Sequence, residues 1–446
     1  MHTPEEILLG HYIESQMGGR VTSLVRQTRW RKAWFAELER DGTVVPLYIR
    51  GDKQLDAEPF PGLAREAAIL RQLEADGILV PHIHGVCPDP LAIVMDRTPG
   101  VRDVAQAADD AQRQSIAEQY VAQLARMHAL DTAPFVAAGI GLPADARSNV
   151  LAYLDANLPL YARGKRKPQP FVEFAMRWMR RNAPTGRTRS SFIHCDVGQF
   201  LFVDGKITGL YDFEASHIGD PLADLASLRT RDGFEPLGAD VSHLVRYYQQ
   251  LTGEAVDPWA LSFHTACFSL TSVMALSGPL SEPGAHRLEL EYLVWDLMTR
   301  RATVWAMAEC MDVQIAPSPP FLPQPGRQAL LFNVLGQAVA RGPIATDMDR
   351  HHRDSAATLA QWAGLVDAAG PQAAQRERDS LARFIGPVPA SWDAADAAFE
   401  QFVQQAGPEH DQALLRHFAL QLEDQIAMAQ PLHARLAGYA LKPVVL

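Results

Sequence analysis

Short apolar runs separated by turn residues open the chain. Residues 21–27 and 33–38 flank a polar tip at 28–32, and Arg40-Asp41-Gly42 makes a turn before a third run at 44–50. Valine- and aromatic-rich runs at this spacing predict an antiparallel meander. The period then changes: Leu63, Ala67, Leu70 and Leu73 recur at helical spacing over 62–77, and Gly77 closes the segment. Two more runs, 82–86 and 91–95, predict further strands before Thr98-Pro99-Gly100. Strands, one helix, then strands make a small α+β lobe.

From residue 104 the pattern is helical. Residues 111–130 carry Ile116, Tyr120, Leu124 and Met127 on one face, and 147–182 read as helix broken around Lys167-Pro168. Residues 190–212 revert to short apolar runs with a turn at Asp204-Gly205, and helix resumes after Pro221 to about residue 310. A proline-rich stretch at 316–325 is the best linker candidate. Residues 327–440 are rich in Ala and Gln, with helical spacing clearest at 353–370 and 408–437. The expected organisation is a sheet-containing lobe over 1–100, a mainly helical lobe over 101–315 and an additional all-α domain over 326–446.

Composition narrows the class. Hydrophobic residues are 47% and charged residues 21% of the 446, as in a folded globular chain. A net charge of −11 argues against a nucleic-acid partner, which needs a basic surface. The four cysteines, Cys87, Cys195, Cys267 and Cys310, have no zinc spacing and read as reduced residues of a cytoplasmic protein. The N-terminus lacks the basic flank and apolar run of a signal peptide, and no uninterrupted apolar run reaches 18 residues, so no membrane span is expected. Residues 163–189 carry nine Lys or Arg against one Glu; they read as a solvated helix face or as a basic entry for an anionic acceptor.

The chemistry concentrates at 192–226. Apolar runs 200–203 and 207–211 flank Asp204-Gly205 and predict a hairpin. Asp196 precedes its first strand and Asp212 follows its second, so the open end of the hairpin brings the two carboxylates together. With the Gln199 amide beside them they suit a hard cation, or one carboxylate can take a proton from a hydroxyl.

His194-Cys195-Asp196, Asp212-Phe213-Glu214 and Gly219-Asp220-Pro221-Leu222-Ala223-Asp224-Leu225-Ala226 occur in this order and resemble the catalytic core of the aminoglycoside phosphotransferase and choline kinase superfamily. The resemblance covers roughly residues 15–310. It implies a two-lobed protein-kinase-like fold that uses ATP and Mg2+ to phosphorylate a hydroxyl of a small molecule. It makes Asp196 the base, His194 a support of the catalytic loop, Asp212 a magnesium ligand and Glu214 a further metal-side residue. Asp224 is expected to hydrogen-bond the loop backbone. The family places an Asn five residues after its Asp; here Gln199 follows after three and takes that place as a candidate metal ligand. In the small lobe the resemblance puts Arg50 on the phosphates with Glu66 as its partner. It puts Arg29, Arg31 or Lys32 at the phosphate-covering tip and Met95 and Asp96 at the adenine-binding hinge.

An aminoglycoside acceptor requires a dense acidic site, and none is visible beside the catalytic segment. The closer resemblance is to bacterial catabolic phosphotransferases, with an alcohol or phenol of a metabolite or xenobiotic as acceptor. The alternative is a catalytically weak kinase-like nucleotide-binding module. In either case the C-terminal helices could join a second copy or a partner subunit.

Overall fold

The computed structural model describes residues 3–27, 31–52, 62–281, 290–322, 324–432 and 441–446. The chain opens with helix α1 (Pro4–Met17), begun by a capping box in which Thr3 and Glu6 satisfy each other's backbone N–H groups. Strands β1 (Arg20–Arg26), β2 (Ala33–Arg40) and β3 (Thr43–Gly51) follow as the expected meander. Helix α2 (Leu63–Ala75) precedes β4 (Ile83–Pro88) and β5 (Leu91–Asp96). The five strands form one antiparallel sheet in the order β1-β2-β3-β5-β4. Alternation along β2 sends Trp34, Ala36 and Leu38 to one face, where Leu47, Ile49 and Val94 join them under Leu9 and Ile13 of α1.

Next come α3 (Asp110–His128), α4 (Ala133–Ala137), α5 (Ala146–Val150), α6 (Ala152–Gly164) and α7 (Pro170–Asn182). The catalytic segment supplies β6 (Ser191–Ile193), β7 (Phe200–Val203), β8 (Lys206–Leu210) and β9 (His217–Gly219). β7 and β8 form the expected hairpin, Phe200 facing Leu210. Its Asp204-Gly205 turn has φ of 48° and 74°, the left-handed pair that a tight two-residue turn needs. β6 pairs antiparallel with β9, a three-residue ladder too short to leave a periodic signature in the sequence.

The remaining helices are α8 (Leu222–Asp232), α9 (Val241–Thr252), α10 (Pro258–Ser281), α11 (Leu290–Met311), α12 (Ala329–Ala340), α13 (Asp347–Ile385), α14 (Trp392–Gln405) and α15 (Asp411–Met428). The whole is the α+β fold with a small antiparallel sheet, a helical region and C-terminal helices.

The chain divides into two compact units. The first holds residues 1–156, 184–257 and 443–446, and the second 157–183 and 258–442. This differs from boundaries at 101 and 326, because α7, α10 and α11 share a core with the C-terminal helices. Phe171 and Phe174 of α7 lie 5.4 and 5.5 Å, centroid to centroid, from Phe418 of α15. α10 is long and apolar enough to cross a membrane, but 78% of its most apolar stretch is buried in the protein. The proline-rich stretch is strapped down: Arg376 donates to the carbonyls of Pro319 (2.9 Å) and Pro320 (3.2 Å). Four residues of the basic segment are paired with carboxylates. Lys165 pairs with Glu173 (2.7 Å) and Glu400 (2.8 Å), Arg181 with Asp411, and in the first unit Arg187 with Asp220 and Arg189 with Glu254.

Candidate active site

One face of α8 organises the loop between β6 and β7. Asp224, Ser227 and Arg231, spaced three and four residues apart, point the same way. Asp224 accepts the N–H groups of His194 (2.9 Å) and Cys195 (2.7 Å), Ser227 accepts that of Val197 (3.2 Å), and Arg231 binds the Asp196 carboxylate. Asp224 also accepts from His128 at 2.9 Å, with both side chains fully buried. Burial works against its charge, but the His128 hydrogen bond, both histidines and the loop N–H groups outweigh it and hold its pKa below the ordinary carboxylate value.

His194 is sealed beneath the loop. Its Nε2 faces the Tyr211 carbonyl at 3.0 Å, which can only accept, so Nε2 carries the proton. Its Nδ1 therefore accepts from the Tyr120 hydroxyl at 2.9 Å, and the ring stacks on Phe213 with centroids 4.3 Å apart. Burial lowers its pKa and keeps it neutral. It links the two halves of the segment and is enclosed on every side. Cys195 has φ of 76°, a backbone conformation awkward for any side chain, and burial pushes its thiol well above the ordinary value.

Asp196 follows, its side chain 37% exposed. Gln199 donates from Nε2 to Asp196 Oδ2 at 2.9 Å, and Arg231 holds Oδ1. Burial raises the Asp196 pKa, Arg231 opposes the rise, and the charge of Asp212 adds to it. The two carboxylates at the open end of the β7–β8 hairpin thus feel each other. Asp212 also has a positive φ, 68°, the kind of strain kept where the surrounding structure fixes a functional side chain.

Across from them, Arg50 at the end of β3 gathers three carboxylates. Its Nε binds Glu66 of α2 at 3.1 Å, and its Nη2 binds Asp212 at 2.7 Å and Glu214 at 3.1 Å. Arg31, buried two residues before β2, binds Glu214 at 2.7 Å and approaches Glu66 at 4.0 Å. Burial works against the Arg50 charge, but Glu66, Asp212 and Glu214 push its pKa up. Glu66 is raised by burial, with Arg50 opposing. Arg65, its neighbour on α2, donates to the carbonyls of Glu214 and Ser216, tying that helix to the Asp212 segment.

Two guanidiniums among three carboxylates leave this cluster one negative charge in excess. A polyphosphate could settle there only with a cation. The donors offered at the cluster are hard oxygens, the carboxylates of Asp212 and Glu214, while Gln199 is turned to Asp196 through its Nε2. Among the described residues no three His, Cys, Asp or Glu side chains gather as a metal cluster. That sparseness fits Mg2+, which keeps several waters and substrate phosphate oxygens and takes only one or two protein carboxylates.

Other expected residues fall differently. Arg29 lies outside the described residues. Lys32 is held by Glu5 of α1, away from the Arg50 cluster, whereas the adjacent Arg31 turns into it. Met95 is buried in β5, and the Asp96 N–H is taken by the His82 carbonyl at 3.0 Å, so it cannot serve a base at the hinge. The Asp96 carboxylate binds His84 at 2.7 Å. Arg231 was not expected from the sequence. Its signal is its spacing of seven from Asp224, two helical turns along the same face.

A loop carboxylate, a second carboxylate at the end of the hairpin and a guanidinium cluster beside the antiparallel sheet are the groups a small-molecule kinase would use. Residues 48–259 match the model of the phosphotransferase enzyme family, and in fold the chain is similar to solved phosphotransferases of the aminoglycoside phosphotransferase-like superfamily. A solved structure of a candidate aminoglycoside phosphotransferase from Ralstonia eutropha JMP134 is similar at 16% identity and a TM-score of 0.54, covering 69% of this chain and 98% of its own. Macrolide 2′-phosphotransferase MphH from Brachybacterium faecium matches at 17% identity and a TM-score of 0.46, covering 65% of this chain and 96% of its own. Aminoglycoside-3′-phosphotransferase of type VIII matches at 20% identity and a TM-score of 0.43, covering 60% and 100%. None of the curated proteins searched matches.

Proposed function

We propose that the protein transfers the γ-phosphoryl group of ATP to a hydroxyl of a small metabolite or xenobiotic, with Asp196 as base and Asp212 on the metal side. The observation that carries this reading is the convergence of Asp196, Asp212 and Arg50 at the end of one hairpin. Mg2+, held by Asp212 with Gln199 and Glu214 near, would neutralise phosphate charge. Arg50 and Arg31 would grip phosphate oxygens, for which a guanidinium offers a fixed fork of donors. Asp196 takes the acceptor's proton as the hydroxyl oxygen bonds to the γ-phosphorus and the bridging bond to the β-phosphate breaks, releasing ADP. Gln199 holds the second oxygen of Asp196, so the base has one orientation.

The test is ADP release from ATP and Mg2+, alone and with a metabolite mixture read by mass shift. Slow hydrolysis is expected, and the Asp212→Ala variant should lose about 100-fold or more of it, the scale of removing a group that stabilises developing charge. Wild-type protein that neither hydrolyses nor binds ATP would make the chain a kinase-like interaction module.

A further inference from the structure

Each oxygen of Asp196 accepts one hydrogen bond and keeps room for another. Oδ2 accepts from Gln199 at 2.9 Å. Arg231 sits at Oδ1, so a hydroxyl that meets the base there lies beside its guanidinium. Arg231 is well anchored, its side chain only 12% exposed. Its remaining donors, Nε and Nη2, converge on one oxygen of Glu235 at 2.9 and 2.6 Å. The other oxygen of Glu235 accepts from Arg102 at 2.7 Å. One carboxylate is thus clamped between two guanidiniums immediately beside the base.

That carboxylate comes from the connection after α8 and is 44% exposed, while Arg102 is 57% exposed. Exposed ion pairs of this kind hold weakly and exchange readily. Tyr211, whose pKa burial raises while Arg102 and Arg231 pull it down, lies within reach of both arginines and of Asp212. The clamp therefore borders the reacting centre. The two carboxylates here, Asp196 and Glu235, are each already matched to arginine. At the clamp itself a polycationic acceptor would meet two like charges.

Building on the phosphotransferase reading above, we infer that Arg231 and Arg102 form an oxyanion subsite, and that the acceptor is an alcohol bearing a carboxylate or phosphate group which takes the place of Glu235. The clamped Glu235 carboxylate marks where that group binds. Arg231 reads the anion and presents the neighbouring hydroxyl to Asp196, and a forked guanidinium suits carboxylate and phosphate alike.

The test uses full-length protein with ATP and Mg2+ and four acceptor sets: short hydroxy acids, phosphorylated diols, the matched hydroxy amides and the matched amino alcohols. Products are read by mass shift and ADP release. Anionic members should exceed their amide counterparts by about tenfold or more in kcat/KM, and amino alcohols should be poorest. The first two sets tell carboxylate from phosphate. Arg102→Ala should raise KM for the anionic acceptor with little change in kcat. Arg231→Lys should retain part of the preference that Arg231→Ala erases. Amides or amino alcohols matching the acids would overturn the subsite, as would Asp212-dependent ATP hydrolysis with no anionic alcohol phosphorylated. Absence of ATP hydrolysis and of every product would instead remove the phosphotransferase reading, and the subsite with it.

Discussion

Asp224 and Asp196 stand on opposite sides of one loop, and both are carboxylates paired with cationic or N–H groups. Below the loop, Asp224 is fully buried and its acceptors are filled by the backbone of His194 and Cys195 and by His128, itself bonded to Tyr248 at 2.7 Å. Above it, Asp196 and Asp212 are partly exposed and held by Arg231 and Arg50, side chains that a substrate can redirect. In the function proposed above, the same functional group serves as scaffold where its partners cannot leave and as reagent where they can.

The sharpest way to break that contrast is to neutralise each aspartate in turn. Asp224→Asn keeps the volume but sets an amide against N–H donors and strips a buried pair of its charge. Such losses cost about 3–5 kcal/mol, so the variant should melt far below wild type or fail to fold. Asp196→Asn should leave the melting transition within about 1 kcal/mol of wild type, as expected of a partly exposed side chain. Its turnover should fall by about 10²–10⁴-fold, the range for a lost general base. Equal melting losses in the two variants would show that the loop has no scaffold side and reagent side.

Arg50 probes the exchange itself. In the Arg50→Lys variant one ammonium replaces a fork that reaches Glu66, Asp212 and Glu214 together. KM for ATP should rise about tenfold, the size of one lost charge-assisted hydrogen bond, with a smaller change in melting temperature. Nucleotide titrations at fixed Mg2+ would measure it. An unchanged KM would leave Arg50 a purely structural partner of α2.

Much of this contrast was legible before any coordinates. The His194-to-Ala226 order located the loop, the hairpin and the helix, because turn residues and short apolar runs act locally. The meander of β1–β3 and the helix carrying Glu66 were readable for the same reason. What escaped depends on side chains finding each other across long separations. Arg31 turning into the Arg50 cluster while Lys32 turns out to Glu5 is decided in the connection before β2 by partners distant in sequence. Arg231 needed the seven-residue spacing on α8 to be weighed against the loop above it. The grouping of 157–183 and 258–311 with the C-terminal helices rests on Phe171, Phe174 and Phe418 meeting across more than two hundred residues, which no local pattern announces.

A carboxylate in the second unit gives the mildest test of what matching cations do. Glu377 of α13 accepts from Gln421 at 2.8 Å, and burial followed by the charge of Asp396 pushes its pKa up to about 7. The folded state then binds a proton that the unfolded chain releases near the ordinary glutamate value. Stability from this group is fully present below that value and is lost as pH rises toward 7. His417, held down to about 4 by burial, acts oppositely, lowering stability as pH falls below the ordinary histidine range. Above pH 6.5 the carboxylate therefore dominates. Glu377→Gln keeps the Gln421 contact and removes the charge, so it should raise the melting temperature at pH 8 and do almost nothing at about pH 4, where Glu377 carries its proton in both the folded and the unfolded chain. Melting curves of the full chain across that range would read it. A variant that melts lower at pH 8 would mean that the Glu377 charge, like that of Asp224, is one the fold needs.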